Sequence, residues 1–446
     1  MNKSTVIRTF PNNPPLFSVE MTTGHELVDK SGVKFLDVTA GGTAYAVVGY
    51  CNKNVLDAMQ YQMKRYTHLD YKTFEDPVRN ELADIITSSN PKELNRVFFS
   101  GGSGGEACET ALQISYQIHK ESGLSSKTWY LSRNQSYHGC TSGALSLGQR
   151  PNLEFFRPLL SKNRARVEEY NYNKNALQGE SEKEYSARLT DAFRKEVLLI
   201  GPENIGGFVA ETIMGGLVGD VPSSIEYWMG IREICTEFNI HLIIDEVWCG
   251  TGVTGKINCV EWYNFTPDFL LLGKTLAAGY IPLSAVLTTK KLADVIAFGS
   301  GRFETSCTFQ GHSLACAAGL AVQRIIHSPN FVDEVHRKGQ YIRKVLYDEL
   351  HSHEFFKEIR GLGVRNTLEY VCAEQNQFGQ YVAQRLRINH NIIVSGKWHR
   401  FNLSHAMTFS YDEINRVIEA LCIEFRAVAS TWTPEFFSRL TPSDFF

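Results

Sequence analysis

Through the middle of the chain, short apolar runs alternate with stretches whose hydrophobic residues recur at helical spacing. Val97–Ser100, Thr128–Ser132, Gly207–Glu211, His241–Val247, Phe269–Gly273 and Leu283–Thr288 have the length and content of buried strands. Gly105–Lys120, Ile225–Phe238 and Lys291–Phe298 read as helices; in the second, Ile225, Trp228, Ile231, Ile234, Cys235 and Phe238 follow the helical period. Strands separated by helices predict an α/β fold with a mainly parallel sheet covered on both faces.

The C-terminal third has a different rhythm. Ala315–Ile326 and Asn330–Leu350 read as long helices, Gly361–Val371 and Asn391–Val394 as strands, and Asp412–Ala427 as a last helix. This predicts a large domain over residues 61–310 and a smaller α/β domain built from 1–60 and 311–446. No internal repeat stands out. The polar stretch Asn171–Glu184 predicts a mobile surface loop.

Composition narrows the ligand. The 446 residues carry a formal charge of only −3, with no Lys/Arg cluster and no acidic tail, so small molecules are expected rather than nucleic acid. The first residues lack the apolar core of a signal peptide, and no apolar run reaches membrane-spanning length. Ten scattered cysteines without a Cys-x-x-Cys pair suit reduced thiols in a cytoplasmic protein and give no metal site.

The candidate chemistry lies at the ends of the apolar runs. Ser100-Gly-Gly-Ser103-Gly104-Gly105-Glu106 follows a strand and opens a helix, where free N–H groups and the helix dipole favour a phosphate. Alone it is equally a glycine-rich helix start. Ser136-Tyr137-His138-Gly139 offers a ring that could stack on a planar cofactor, or a core tyrosine beside a surface histidine. Asp245 ends His241–Ile244, and a carboxylate there needs a partner: a pyridinium nitrogen, a helix N-terminus or a salt bridge. Glu246 is the competing acid, but strand alternation turns it to the opposite face. Lys274 ends Phe269–Gly273 and opens a glycine-spaced turn; a desolvated lysine there becomes a nucleophile and base. Phosphate loop, aromatic, strand acid and lysine, in that order, are what a pyridoxal 5'-phosphate (PLP) site needs.

Together with Gly41–Gly49, Asp245-Glu-Val247, Pro267–Gly279, Thr308–Ala318 and Arg360-Gly-Leu-Gly363, these motifs make the chain resemble the class III (subgroup II) aminotransferases, PLP enzymes of fold type I. The resemblance runs over nearly the whole chain. It implies that Lys274 carries the cofactor as a Schiff base and that Asp245 pairs with the pyridine nitrogen. It implies Tyr137 on one ring face with His138 beside it, Val247 on the other face, and Glu211 in the ring's polar network. Ser103, Gly104 and Gly105 would hold the phosphate, and Thr308 would reach it from a partner subunit, giving a homodimer with its active sites at the interface. Arg400 falls where many members keep a carboxylate-binding arginine. Tyr45 and Trp248 are further substrate-pocket candidates, as are Tyr66 and His68.

The departures shape the expected reaction. Gly105 stands where members usually have Ser or Thr, Trp248 where many have Gln, and no proline pair follows Arg400. Gly216 stands where enzymes specific for 2-oxoglutarate often have a glutamate, so the pattern is nearer the ω-amino acid:pyruvate branch. The expected activity is transfer of an amino group from a primary amine or ω-amino acid donor to a small 2-oxo acid acceptor such as pyruvate, by a ping-pong route. The same scaffold also serves mutases, racemases, decarboxylases and phospho-lyases, and a non-catalytic scaffold protein is the remaining alternative.

Overall fold

The computed structural model of the chain describes residues 5–7, 9, 17–151 and 153–441. Its centre is a seven-stranded sheet in the order Arg96–Phe99, Ala285–Thr288, Phe269–Leu272, His241–Asp245, Ile205–Glu211, Trp129–Arg133, Arg164–Val167. Only Ala285–Thr288 runs antiparallel to its neighbours. The mainly parallel sheet expected from the alternation is therefore present.

Strand alternation sorts the two faces. Val209, Ile243, Phe269, Leu271 and Val286 pack with Ala107, Cys108, Ala111 and Ile114 of the Gly104–Glu121 helix. Phe208, Ala210, Leu242, Ile244, Leu270 and Leu272 point the other way, into a core shared with Tyr227, Trp228 and Ile231 of the Ile225–Glu237 helix and with Leu189 and Phe193. Each fully buried Val, Leu, Ile or Phe among them contributes about 1.5–3 kcal/mol.

Two smaller sheets lie outside it. One joins Val19–Thr23, Glu26–Asp29 and Lys34–Asp37 to the distant Ile392–Ile393, which pairs parallel with Leu36 and Asp37. The other is antiparallel, in the order Phe356–Leu362, Arg365–Tyr370, Arg400–Leu403, Ser395–Lys397. Leu368, Tyr370, Phe401 and Leu403 put one of its faces into a core with the Phe331–Leu350, Gln375–His390 and Tyr411–Ala429 helices. The opposite face, carrying Arg365, Thr367, Glu369 and Arg400, turns toward the large sheet.

Several expectations are corrected. Gly361–Val371 is two strands, because Gly363 takes a left-handed φ of 52° and reverses the chain. Asn171–Glu184 is not a loose loop: Tyr172–Asn175 forms a helical turn and Ser181 caps the Glu182–Ile200 helix through a reciprocal bond with Glu184. Tyr172 donates to the Glu180 carbonyl, and Arg188 grips the Glu180 carboxylate, so this polar stretch is held by its own hydrogen bonds. The helices Lys53–Arg65, Pro77–Thr87 and Gln375–His390, and the strand Arg164–Val167, were not anticipated.

Candidate active site

The C-terminal ends of the parallel strands gather the predicted groups, as open α/β sheets generally do with their sites. Asp245 ends the central strand in register with Glu211 on one side and Leu271 on the other. Lys274 follows shortly after Leu271, opening the short turn Lys274–Leu276. Its backbone is left-handed, with φ of 34°, a costly conformation for a residue with a side chain.

Burial lowers the Lys274 ammonium to about 8; Asp245 opposes that shift, while Arg365 and Arg150 add to it. Among the described residues Nζ has no hydrogen-bond or ion-pair partner and sits 5.1 Å from the centre of the Trp248 ring. An amine in this state is partly neutral near pH 8 and free to act as nucleophile or base.

His138, which could have been a surface residue, is buried, and its Nδ1 lies 2.8 Å from Asp245 Oδ2. The Val247 N–H donates to Asp245 Oδ1 at 3.0 Å. His138 is thus a partner of the acid. Glu211 is buried beside them; desolvation raises its carboxyl, with His138 and Arg133 acting against the shift. Glu246 faces the other way and accepts from Thr212 and from the N–H groups of Cys259 and Val260. Burial still raises it to about 7.

Three loops close on each other above this acid. A Cβ on Gly104 would lie 2.6 Å from Val247 Cγ1, and one on Gly139 would lie 2.4 Å from the Gly105 Cα. Such contact leaves the N–H groups of Gly104 and Gly105 at a helix start, without intrahelical acceptors. Ser103 behaves differently from the other two. It caps the helix reciprocally with Glu106, whose Oε2 also accepts from the Gly102 and Ser103 N–H groups, each at 2.9 Å. Tyr137 has the Arg150 guanidinium stacked on its ring at 3.5 Å, so one face is already covered. The combined set suits a group that carries an aldehyde, an aromatic nitrogen and a phosphate.

A second wall was less visible from the sequence. Trp248 Nε1 donates to Asp220 Oδ1 at 2.8 Å, and Thr367 donates to Asp220 Oδ2 at 2.8 Å. Arg365 lies on the same indole, 4.6 Å from its centre, and donates to the carbonyls of Trp248 and Ala44. Glycines clear the space: a Cβ on Gly215 would strike Trp248 at 2.5 Å, and one on Gly279 would strike Tyr45 at 2.2 Å. Tyr45 therefore packs against the turn that follows Lys274. Arg400 is almost fully buried, donates to the Gly216 carbonyl at 2.9 Å and stacks on Trp398.

Thr308 is exposed, and its carbonyl lies 3.0 Å from His68 Nε2. His68 also stacks on His312, beside Phe309, which is 67% exposed. Tyr66 donates to Asp76. His68 thus belongs to the Thr308 surface, while Tyr66 is tied to the buried acid that caps the Pro77–Thr87 helix. Among the described residues no group of His, Cys, Asp and Glu is arranged to hold a metal, and no helix is long and apolar enough to cross a membrane.

Arg365, Arg150, Asp220 and the pairing role of His138 were missed. Arg365 had a signal, since a lone arginine inside a predicted strand must find partners. Asp220 had none, because its importance comes from a tertiary bond to a tryptophan 28 residues away.

Comparison with known proteins gives a consistent family. The family model of class-III aminotransferases matches residues 9–422. An aminotransferase of Gibberella zeae is 33% identical over 351 residues, 78% of this chain and 68% of that protein. A putrescine–pyruvate aminotransferase of Pseudomonas aeruginosa is 32% identical over 348 residues, 77% and 74% of the two chains. The crystal structure of the omega transaminase from Pseudomonas jessenii in complex with PMP superposes with a TM-score of 0.87 at 26% identity, covering 93% of each chain.

Proposed function

Because the chain belongs to the class III aminotransferases and is a PLP-dependent transaminase, we propose that it moves an amino group from a primary amine or ω-amino acid to a small 2-oxo acid such as pyruvate, in two half-reactions on one site. The observation that carries the reading is Lys274: half-buried, with no hydrogen-bond or ion-pair partner among the described residues, lowered to about 8, and under the influence of the Asp245 carboxylate that His138 holds. The likeness to a putrescine–pyruvate aminotransferase and the absence of a carboxylate at Gly216 support the small acceptor.

Bound PLP supplies a protonated pyridine ring that draws electrons from the substrate carbon, and it carries the amino group between the two halves. Lys274 Nζ would hold the cofactor and would move the proton to and from the substrate carbon. Asp245 keeps the ring nitrogen protonated, and His138 and the Val247 N–H hold that carboxylate in place. The Gly104 and Gly105 N–H groups receive the phosphate at the helix start. Ser103 assists mainly by holding Glu106. Val247 and Tyr137 confine the ring from either side, and Glu211 completes the polar edge beside His138. Tyr45 and Trp248 line the substrate space.

The exposed Thr308 surface, with Phe309, Tyr61 and Phe74 also exposed, supports a homodimer in which Thr308 reaches the partner's phosphate. Residues 61–310 would form the cofactor-binding domain, with 1–60 and 311–446 as the second; the pairing of Lys34–Asp37 with Ile392–Ile393 supports that division.

The test is an absorbance scan of PLP-loaded protein with a panel of amines and no 2-oxo acid. Loss of the lysine-bound cofactor band and growth of its amino form is the expected result and names the donor class. A band that persists across the panel would move the reading to a mutase, racemase, decarboxylase or lyase on this scaffold.

A further inference from the structure

A 2-oxo acid brings a problem that the residues discussed so far do not solve. Its carboxylate is bonded directly to the reacting carbon, so the group that binds it must stand close to Lys274. Arg400 gives its Nη2 to the Gly216 carbonyl and leaves Nε and Nη1 buried without a partner, but it stacks on Trp398 and shares its surroundings with Arg360 and Glu369. It is not stacked on the indole that Lys274 lies against.

Arg365 is. It is 0% exposed and shares the Trp248 indole with Lys274. Its Nε donates to the Trp248 carbonyl at 3.0 Å and its Nη2 to the Ala44 carbonyl at 2.8 Å, which fixes the plane of the fork. Its Nη1 is buried with no partner. No carboxylate forms an ion pair with it among the described residues, and both oxygens of the nearby Asp220 are engaged by Trp248 and Thr367. This buried guanidinium is held by two carbonyls and feels the charge of Asp220, but no carboxylate is bonded to it and one nitrogen is unfilled. The strand register points the same way. Arg365 shares its sheet face with Thr367, whose hydroxyl reaches Asp220 beneath Trp248.

We propose that Arg365 is the specificity residue for the acceptor, its Nη1 binding the carboxylate of the 2-oxo acid and of the amino acid that the acid becomes. This rests on the transaminase reading above for its substrate, but not for its geometry. The arginine selects a carboxylate on the carbon next to the reacting one, and the Trp248 indole sets its distance from Lys274.

Two acceptors of equal carbon count separate this role from a structural one: pyruvate, with the carboxylate, and propanal, without it. In the PLP-loaded enzyme, Arg365→Met should raise the KM for pyruvate roughly 10–100-fold, the effect of losing a charged hydrogen bond. The KM for propanal should stay within about threefold. Arg365→Lys, which keeps the charge and loses the fork, should recover part of the loss; Arg400→Met should leave the pyruvate-to-propanal ratio unchanged. Equal losses on both acceptors would overturn the proposal. So would the pyruvate defect appearing in Arg400→Met instead, or a shift only in the pH midpoint of the bound-cofactor absorbance.

Propionate titrated into the PLP-loaded protein gives a readout without turnover. Its perturbation of the cofactor absorbance should saturate in the parent and vanish in Arg365→Met. If the parent transaminates nothing yet propionate binding still depends on Arg365, the transaminase reading fails and the carboxylate site stands. If propionate binds equally to both proteins, the carboxylate site fails whatever the reaction.

Discussion

The two walls of the site are built on opposite plans. At the mouth of the large sheet, the acid is pre-satisfied: Asp245 has His138 on one oxygen and the Val247 N–H on the other. On the small antiparallel sheet, cations outnumber their partners. Arg365 and Arg400 lean on backbone carbonyls and keep buried nitrogens unpaired. The first wall is suited to holding one cofactor in one pose. The second has capacity to spare, which is what a site needs if it must accept substrates in turn. In the proposed reading, chemistry belongs to the strand ends, and selection to a sheet face that approaches from another part of the chain.

Substitutions can break this contrast or make it sharper. The largest effect belongs to the lysine. Lys274→Ala should lower turnover about 10⁴-fold, from loss of both anchor and base, and should abolish the lysine-bound cofactor band. In the cofactor-free parent, the rate of PLP capture should rise with pH through about 8, because Lys274 attacks the aldehyde only after losing its proton and burial lowers it to about 8. A flat profile from pH 6 to 9 would remove Lys274 as the titrating group.

Next comes the acid. Asp245→Asn should cost about 10²–10³-fold in turnover, and His138→Phe about tenfold less than that, since the histidine acts only through the carboxylate. If His138→Phe matched Asp245→Asn, the histidine would have a direct role.

On the other wall, Asp220→Asn should weaken two buried bonds at once. It should destabilise the fold by about 1–3 kcal/mol, read as a fall in Tm, and alter the substrate range more than the cofactor spectrum. A cofactor spectrum changed as much as in Asp245→Asn would erase the distinction between the walls. The smallest effect is expected from Gly105→Ser. A Cβ there meets only ordinary contacts, 3.4 Å from the Cys140 nitrogen. The added hydroxyl should slow cofactor loss by about 2–10-fold, measured by dialysis, without changing acceptor preference.

The large sheet was legible in the chain because its strands are buried on both faces and read as unbroken apolar runs. All six predicted strands begin and end within two residues of the observed ones. The positions of Asp245 and Lys274 followed from those runs. Glu182–Ile200 and Gln375–His390 did not show, because their apolar stripes are interrupted by polar residues and only packing completes them. Arg164–Val167, Arg-Ala-Arg-Val, is an edge strand whose arginines find partners in neighbouring loops, and no alternation announces it. The second wall was illegible for a related reason. Trp248, Asp220, Ala44 and Arg365 are scattered along the sequence, and what makes them a unit is a set of bonds formed only after folding.

The parallel pairing of Lys34–Asp37 with Ile392–Ile393 also sets an order of events during synthesis. The early strand leaves the ribosome almost a whole chain before its partner. At about 5–20 residues per second, its outer edge stays open for tens of seconds, an invitation to pair with another nascent copy. The carbonyl of Ala44, which steadies Arg365, sits just downstream of that strand. If Arg365 selects the acceptor as proposed, the wall that discriminates is steadied next to a strand whose partner is among the last parts of the chain to be made.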